Sequence, residues 1–457
     1  MLLSTRLIKI RHEKLCTTNR VCVTVTGMMI FFVILYFTSK NWGQLEEDEI
    51  LTNLRYNGLL VRAECKACLK IAMANQQRHQ DDVTTGQHHN CTKLQRKIDL
   101  LEQKMKLYEN LGKFTEEDSL VNHYGSKVRQ NILVISNLHC GSSFLGEIFN
   151  QHPQVFYLHE PVESLEYYRE NRPENVYDTM VTHLLNGIFH CDFRELAYFT
   201  DFISLQYSSI KHRLSSRALS SPPLCPSFSQ NHPLFNIRMC TRLRPQTLSA
   251  ICNLHRHTVV KTIQVDFIHK LSYLMDTEGP ADYALKVVHL VRDPRALIDA
   301  KIQNDLNSNW TTTSLRQNAR AMCKDLLLNI KYAVSAPPWL QGRYTLLRYE
   351  DLATKPHQIA EQLYQFVGIN NDAQVRRWLD KKSNTVSYSG MSALNPSGPV
   401  EVQDRSSSEN VFQWRGRMPY SVVRIIETEC YEVMNLLGYK IVDDMDELRA
   451  TNIPLVD

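Results

Sequence analysis

The chain has 457 residues, with 52 lysine and arginine residues against 48 aspartate and glutamate residues, and a formal net charge of +4. Residues 1–20 hold five basic side chains and one acidic one, so this whole excess lies there and the remaining residues are neutral overall. That balance gives no support to nucleic-acid binding, and a chain that is 43% hydrophobic and 22% charged is not wholly disordered.

An uncharged run of 18 residues, 21–38, follows the basic segment. Its length is near the lower limit for a helix that crosses a hydrocarbon core of about 30 Å. A cleaved signal peptide is the alternative, but no small-residue cleavage site follows the run. The pattern therefore predicts a signal anchor held in the lipid bilayer, with residues 1–20 as a cytoplasmic tail and the rest in a lumen or outside the cell.

The cysteines and sequons beyond this run agree with an oxidising compartment. Ten of the twelve cysteines lie there, an even number available for disulfide bonds, although their spacing does not determine the pairing. Sequons at Asn90 and Asn309 could carry glycans in such a compartment.

Residues 39–127 are predicted to form a helical stem. Apolar residues spaced alternately by four and three follow one another there: Leu94, Ile98, Leu101, Met105 and Tyr108. This spacing is typical either of a short coiled coil that makes a homodimer or of one amphipathic helix lying on the body. Zinc-ligand types also occur in the stem, at Cys65, Cys68, His88, His89 and Cys91. A disulfide bond is favoured over zinc in an oxidising lumen, so no metal is predicted.

From residue 128 onward the pattern changes to buried strands that alternate with helices. We predict strands at 131–136, 155–158, 283–291 and 344–349, and helices at 144–149, 315–328, 359–367 and 422–437. This alternation predicts an α/β domain over residues 128–457, with a parallel sheet and helices on both faces. Two Ser/Pro-rich stretches, 208–235 and 386–410, are predicted to be long loops that shape a binding site.

The turn after the first strand carries residue types that suit an anion. Gly141 lets the backbone approach a ligand closely, and Ser142 and Ser143 offer hydroxyl groups at a helix N-terminus, where free N–H groups favour phosphate or sulfate. Simple packing of the strand against the helix is the alternative. The nucleotide-binding pattern G-x-x-x-x-G-K-[ST] is absent, and Gly146 stands where a cysteine phosphatase would need arginine.

A second loop suited to an anion follows the strand predicted at 283–291. Arg292 at the end of that strand could make a charge-assisted contact with a phosphate. An ion pair of Arg292 with Asp293 or with another loop carboxylate is the alternative. Two such loops on one sheet predict a ligand with phosphates at two positions.

The residues of both loops resemble the Golgi carbohydrate 6-O-sulfotransferases. The segment HCGSSFLGEIFNQHPQVFYLHEP at 139–161 resembles the family's loop for the 5′-phosphosulfate, and LKVVHLVRDPRAL at 285–297 resembles its 3′-phosphate segment. YEDL at 349–352, WR at 414–415 and the closing segment around 430–439 also match. The resemblance implies a P-loop-like fold, 3′-phosphoadenylyl sulfate as donor, and a type II Golgi membrane protein. It also implies a glycan or glycosaminoglycan acceptor that receives sulfate on the 6-hydroxyl of a hexose or N-acetylhexosamine.

The resemblance also implies roles for individual residues. Glu160 is the candidate base for the attacking hydroxyl, and His139 is the candidate group facing the transferring sulfate. The 5′-phosphosulfate is expected on the turn formed by Leu138, His139, Cys140, Gly141, Ser142, Ser143 and Phe144. The 3′-phosphate is expected near Arg292 and Ala300, and Arg415 could add a donor or stack near the adenine.

The chain departs from the family pattern at the donor site. His139 stands where arginine is usual and Cys140 where serine or threonine is usual, while Ala300 and Lys301 stand where serine and arginine are usual. Imidazole, with a reference pKa of about 6.5, carries a charge less reliably than guanidinium at neutral pH. One lost hydroxyl contact typically costs about 1 kcal/mol.

Two functions therefore stay open, an active sulfotransferase and a luminal binding or regulatory protein that keeps the fold. A cysteine hydrolase that uses Cys140 and His139 is a third hypothesis. It is disfavoured because adjacent residues on a turn rarely point at one another.

Overall fold

The computed structural model describes residues 129–204, 210–222, 224–225, 240–275, 284–305, 310–384 and 411–456. The predicted cytoplasmic tail, membrane span, stem and 386–410 loop lie outside these residues, as do Asn90 and Asn309 of the two sequons. Within the described part of the chain, no helix has both the length and the apolar character needed to cross a membrane.

A single five-stranded parallel sheet lies at the centre of the described residues, with strand order β2-β3-β1-β4-β5. This confirms the predicted parallel sheet. The strands are β1 (Gln130–Ser136), β2 (Val155–His159), β3 (His257–Thr262), β4 (Ala284–Val291) and β5 (Tyr344–Arg348). The last strand is one residue shorter than predicted because Tyr349 begins a helix.

Strand β3 is absent from the strands predicted from the sequence, because its apolar run is only Val259-Val260. The other four residues of this strand are polar, and all four are buried: His257, Thr258, Lys261 and Thr262. Buried polar side chains need partners, and these come from neighbouring elements; Thr258 Oγ1, for example, accepts a hydrogen bond from Arg129 Nη2 at 2.8 Å. A strand whose buried side chains are mostly polar shows no alternation of apolar and polar residues, so the sequence pattern does not predict it.

Helices of very different lengths connect and cover the strands. They are α1 (Ser142–Asn150), α2 (Glu166–Asn171), α3 (Glu174–Phe189), α4 (Ala197–Ser204), α5 (Ile210–Leu214), α6 (Arg217–Ser220), α7 (Pro245–Leu254), α8 (Pro294–Asn304), α9 (Thr312–Val334), α10 (Tyr349–Thr354), α11 (Pro356–Val367), α12 (Ala373–Asn384), α13 (Trp414–Arg417), α14 (Tyr420–Leu436) and α15 (Met445–Arg449). Short 3₁₀-helices lie at Pro161–Leu165, Ile268–Leu274 and Pro338–Leu340.

Both faces of the sheet are covered by these helices, as the sequence predicted. Leu133 and Ile135 of β1 point to one face and pack with buried residues of α3. Ile132 and Val134 point to the other face and pack with buried residues of α1 and α11. The alternation along β1 therefore places one central strand in two hydrophobic cores.

Two predictions about local structure need correction. The helix predicted at 315–328 spans Thr312–Val334, because a capping box between Thr311 and Ser314 starts it three residues earlier. The stretch predicted as a loop at 208–235 contains α5 and α6. These short helices bury His212 and Leu219 and pack against β2, so tertiary packing stabilises what local propensity does not.

Three disulfide bonds confirm the predicted use of the cysteines: Cys191–Cys252, Cys225–Cys240 and Cys323–Cys430. The last of these joins α9 to α14. Among the described cysteines, Cys140 alone has a free thiol, and it is buried.

Candidate active site

The turn between β1 and α1 brings an open helix N-terminus to the carboxyl edge of the sheet. His139 and Gly141 both have a left-handed backbone, with φ of 64° and 84°. No described side chain caps α1, whose preceding residue is Gly141. The first amides of this nine-residue helix therefore have no side-chain partner among the described residues, which is the geometry that anion binding at this turn requires.

The predicted donor-binding residues of this turn face different surroundings. Leu138 is 61% exposed, whereas Ser142 is buried and Ser143 is half-buried. The ring of Phe144 packs 5.8 Å from the ring of Trp378 on α12. Phe144 thus holds α1 against its neighbour, while the two serines begin the helix at the open end.

The thiol of Cys140 points into the protein. Its Sγ donates a hydrogen bond to the carbonyl oxygen of Leu290 at 3.2 Å. Burial raises the pKa of Cys140, with a further rise from Glu350, and Arg292 and Lys261 only partly oppose this. A nucleophilic cysteine needs a thiolate, so the structure lends no support to a cysteine hydrolase.

Arg292 joins the second predicted loop to the first. Its Nη1 donates a hydrogen bond to the carbonyl oxygen of His139 at 2.9 Å, and its guanidinium lies 4.7 Å from the centre of the Tyr349 ring. Its Nε is buried and has no hydrogen-bond partner among the described residues. Asp293 instead binds Arg295, with a distance of 2.7 Å between Oδ2 and Nη2, so the alternative of an Arg292–Asp293 ion pair is wrong.

His139 faces this edge as a neutral imidazole at neutral pH. Burial lowers its pKa, and the positive charges of Arg292 and Lys301 lower it further. Neutral imidazole can still donate or accept a hydrogen bond. It does not supply the fixed charge that arginine would supply at this position.

Glu160 lies at the same edge, directly after β2, in a strained left-handed conformation with φ of 51°. Its backbone N–H donates to the carbonyl oxygen of Lys261 at 2.8 Å, and its Oε2 accepts from the N–H of Ile263 at 3.0 Å. The other carboxylate oxygen, Oε1, forms an ion pair with Lys261 Nζ. Both side chains of this pair are 5% exposed.

Lys261 is the charged residue at this edge that sequence reasoning missed. It pairs in register with His159 of β2 and with Val134 of β1. The strand that carries it thus lies between the strand that leads to Glu160 and the strand that leads to the turn at 138–141. A lysine inside a short buried strand would have pointed to a role at the site, but the apolar pattern of the sequence does not reveal β3, so this signal could not be used.

The structure does not bring Arg415 to this group of residues. Its guanidinium donates hydrogen bonds of 2.6–2.9 Å to four backbone carbonyl oxygens, those of Glu447, Leu448, Ala450 and Ile453. Four of its five N–H groups thus hold the C-terminal segment in place. The predicted role of Arg415 in donor binding gains no support from these contacts.

Ala300 lies on α8, the helix that follows Arg292, and it presents only a methyl group. Lys301, the next residue, donates a hydrogen bond from Nζ to Asn318 Oδ1 at 2.6 Å. Its charge still contributes to the lowered pKa of His139. The departure at Ala300 therefore leaves no hydroxyl at this position, while a positive charge stays nearby.

Two buried acids, Glu350 and Asp293, fix the loop after β4 that carries Arg292. Glu350 Oε1 accepts a hydrogen bond from the N–H of Asp293 at 3.0 Å, and Oε2 accepts one from the hydroxyl of Tyr439 at 2.8 Å. Burial raises the pKa of Glu350 to about 7, and Asp293 adds to the rise. Asp293 in turn caps α8 and binds Arg295, so the backbone next to Arg292 is rigidly placed.

Known proteins are similar in sequence to the part of the chain that forms this sheet and its helices. The model of the sulfotransferase domain family matches residues 129–438. Carbohydrate sulfotransferase 1 of Danio rerio is 30% identical over 377 residues, which cover 76% of this chain and 87% of that protein. Carbohydrate sulfotransferase 5 of Homo sapiens is 31% identical over 356 residues, covering 73% and 83%. Carbohydrate sulfotransferase 3 of Mus musculus is 28% identical over 355 residues, covering 73% of each.

Proposed function

Because the chain belongs to the sulfotransferase family of enzymes, we propose that it transfers sulfate from 3′-phosphoadenylyl sulfate to the 6-hydroxyl of a hexose or N-acetylhexosamine in a glycan or glycosaminoglycan. The observation that carries the proposal is the meeting of an open helix N-terminus, Arg292 and Glu160 at one sheet edge. The carbohydrate named in the relatives supports the class of acceptor.

The residues at this edge fit such a donor. The first amides of α1 and the hydroxyls of Ser142 and Ser143 would bind the 5′-phosphosulfate. Arg292, whose buried Nε lacks a partner among the described residues, would bind the 3′-phosphate. The donor supplies an activated sulfuryl group, and the proposal involves no metal.

Glu160 would accept the proton of the acceptor hydroxyl as that oxygen attacks the sulfur. A general base must lie within hydrogen-bond reach of its proton and in a defined orientation. The contacts of Glu160 with Ile263 and Lys261 supply that orientation. His139, neutral at neutral pH, would donate a hydrogen bond to a sulfate oxygen.

A Golgi location with type II topology belongs to the same proposal. The uncharged run at 21–38 and the basic residues before it support a signal anchor with the enzyme domain in the lumen. The three disulfide bonds agree with an oxidising compartment. The heptad-like spacing at 94–108 supports a homodimer through the stem.

A catalytically weakened binding or regulatory protein is the second candidate function. Two observations favour it: His139 lacks a charge at neutral pH, and Ala300 has no hydroxyl. Both weaken the donor site, but Arg292, Lys261 and Glu160 retain the chemistry for transfer. We therefore favour the active enzyme.

Two measurements on the full-length protein distinguish the two functions. We expect calorimetric titration with adenosine 3′,5′-bisphosphate to show micromolar binding. We also expect radiolabelled sulfate to pass from the donor to desulfated keratan, desulfated chondroitin or N-acetylglucosamine, and the transfer to disappear in Glu160→Gln. Binding without transfer to any acceptor would favour the regulatory protein, and no binding at millimolar ligand would refute the sulfotransferase.

A further inference from the structure

A small cleft lies beside the proposed base, where the chain leaves the carboxyl end of β3. Three segments form its walls: α3, the residues that follow β3, and the 3₁₀-helix Ile268–Leu274. The polar side chains that line it are those of Tyr177, Asp178, Thr182, Gln264, Asp266 and Lys270. Gln264 directly follows Ile263, whose N–H donates to Glu160 Oε2 at 3.0 Å. The cleft therefore begins one residue away from a contact that orients the proposed base.

The hydroxyl group of Tyr177 is buried beside this cleft without a hydrogen-bond partner. Tyr177 is 6% exposed, and no described residue makes a hydrogen bond with its hydroxyl. Burial raises the pKa of Tyr177 to about 12, so the hydroxyl keeps its proton at neutral pH. A buried hydroxyl without a partner costs free energy, and most buried polar groups have one. Because Tyr177 lines the cleft, a polar group of a ligand that enters the cleft would supply the partner.

The loop after β3 is held in a fixed position by two other elements. Asn329 of α9 binds it twice, since its Nδ2 donates to the carbonyl oxygen of Asp266 and its Oδ1 accepts from the N–H of Ile268, both at 2.8 Å. Arg169 of α2 binds the side chain of Asp266, with 2.8 Å between Nη2 and Oδ2. The cleft is therefore formed before any ligand binds, as most ligand sites are.

The charged side chains around the cleft give it a negative balance. Asp178 and Asp266 line it together with the ammonium group of Lys270. The Nζ of Lys270 lies 2.6 Å from Glu174 Oε1 and 3.1 Å from Asp178 Oδ1, while Arg169 pairs with Asp266. Among the described residues of this network, three carboxylates thus face two cations. An anionic group that enters the cleft would meet a net negative charge.

Exposed tyrosines on the neighbouring elements suit a carbohydrate. Tyr167 of α2 is 73% exposed, and Tyr273 of the 3₁₀-helix Ile268–Leu274 is 57% exposed. An aromatic ring of this kind combines an apolar face with a polar hydroxyl. Sugar rings match it, because they have an apolar face of C–H groups and a rim of hydroxyls. The surface around the cleft can therefore bind a sugar without using charge.

We propose that the cleft is a subsite for the sugar next to the one that receives sulfate, and that it selects uncharged glycans over glycans that contain uronic acids. This inference rests on the proposed function and narrows its class of acceptor. The cleft has room for about one water-sized group, so one hydroxyl of the neighbouring sugar enters it and binds the hydroxyl of Tyr177. The carboxylate of a uronic acid would instead lose its hydration next to Asp178 and Asp266.

Tyr177→Phe removes only the hydroxyl group and tests the subsite. We expect the full-length variant to show a KM for desulfated keratan, an uncharged chain, that is about tenfold higher than in the wild type, with kcat little changed. Transfer to N-acetylglucosamine, which fills only the reacting position, should be the same in both proteins. So should the affinity for adenosine 3′,5′-bisphosphate. The midpoint of thermal unfolding should not fall, because a buried hydroxyl without a partner does not stabilise the fold.

Asp266→Asn tests the selection by charge. We expect the wild type to use desulfated keratan with a kcat/KM about tenfold above that for desulfated chondroitin, which carries a uronate in every disaccharide. Asp266→Asn removes one carboxylate and leaves Arg169 free to attract a uronate, so this preference should shrink about threefold. Tyr431→Phe is the matched control, because Tyr431 lies on α14 and does not line the cleft; its KM values should equal those of the wild type.

An equal KM for desulfated keratan in the wild type and Tyr177→Phe would overturn the subsite. An equal loss with N-acetylglucosamine, or a loss of bisphosphate affinity, would also overturn it and leave Tyr177 as a residue that supports the fold. A wild type that prefers desulfated chondroitin would overturn the selection by charge. In each of these cases sulfate is still transferred, so the proposed function stands. If the wild type transfers sulfate to none of these acceptors, the proposed function fails and this inference fails with it.

Discussion

Replacing Gly141 by alanine tests whether the proposed donor-binding turn, residues 138–144, depends on close contact with Tyr349. A Cβ atom at position 141 would overlap the Cδ2 and Cε2 atoms of the Tyr349 ring, and the backbone has φ of +84°. The left-handed conformation costs alanine about 1–2 kcal/mol, and overpacking of a close contact adds about 1–3 kcal/mol. We expect Gly141→Ala to lower the free energy of unfolding by about 2–5 kcal/mol.

The same substitution should weaken donor binding more than stability alone explains. The Tyr349 ring must move, and that ring lies 4.7 Å from the guanidinium of Arg292. A displaced ring releases Arg292 from its place beside the turn. We expect bisphosphate affinity to fall at least about tenfold, which corresponds to 1.4 kcal/mol.

Gly342→Ala separates backbone strain from overlap. Gly342 has φ of +65°, but no atom lies within 4 Å of the position that a Cβ would take. It should therefore lose only about 1–2 kcal/mol. Urea unfolding of both variants measures the difference, and adding Tyr349→Ala to Gly141→Ala should remove the overlap. If Gly141→Ala loses no more stability than Gly342→Ala, the contact with Tyr349 does not shape the turn.

Three further predictions concern the residues that support the site. Burial raises the pKa of Glu350 from 4.5 to about 7, so the folded protein binds this proton more tightly than the unfolded chain. The stability that Glu350 contributes is complete below pH 4.5 and is lost as the pH rises through 7. Glu350→Gln should remove about 3 kcal/mol of this pH dependence of the free energy of unfolding. A urea-unfolding pH profile that is the same in Glu350→Gln and the wild type would contradict this prediction. Glu427→Gln removes a carboxylate that binds the fully buried Arg295 at 2.9 Å. It should lower the free energy of unfolding by about 3 kcal/mol in the same assay. A loss below about 1 kcal/mol would show that the ion pair contributes little to stability. Replacing both Cys323 and Cys430 by serine opens a link across 107 residues and should cost about 4 kcal/mol, so an unchanged midpoint of thermal unfolding would refute that contribution.

The two anion-suited loops can be located from the amino-acid sequence because each follows an apolar strand. Parallel strands carry their carboxyl ends to one edge, so strand direction alone predicts that Gly141 and Arg292 lie together. The hydrogen bond from Arg292 to the carbonyl oxygen of His139 confirms this convergence. Glu160 is located in the same way, because it directly follows β2.

Other features of the site do not follow from local pattern. Arg415 stands beside a tryptophan in a motif-like pair, yet its N–H groups bind backbone carbonyl oxygens 32–38 residues further along the chain. Tyr349 belongs to a short motif as well, but its place against Gly141 depends on how β5 and α10 are set beside the turn. Contacts between such distant segments follow from packing, which residue spacing does not encode.

The class of fold, the proposed donor-binding turn and the proposed base follow from short apolar strands and the residues directly after them, because strand periodicity and chain direction are local properties. The counter-ion of that base does not follow from them. Lys261 comes from a strand with only two apolar residues, and its place beside Glu160 arises because β3 inserts between β2 and β1. Strand order is decided by the packing of the whole sheet and its helices, so only the tertiary structure could bring this ammonium to the carboxylate.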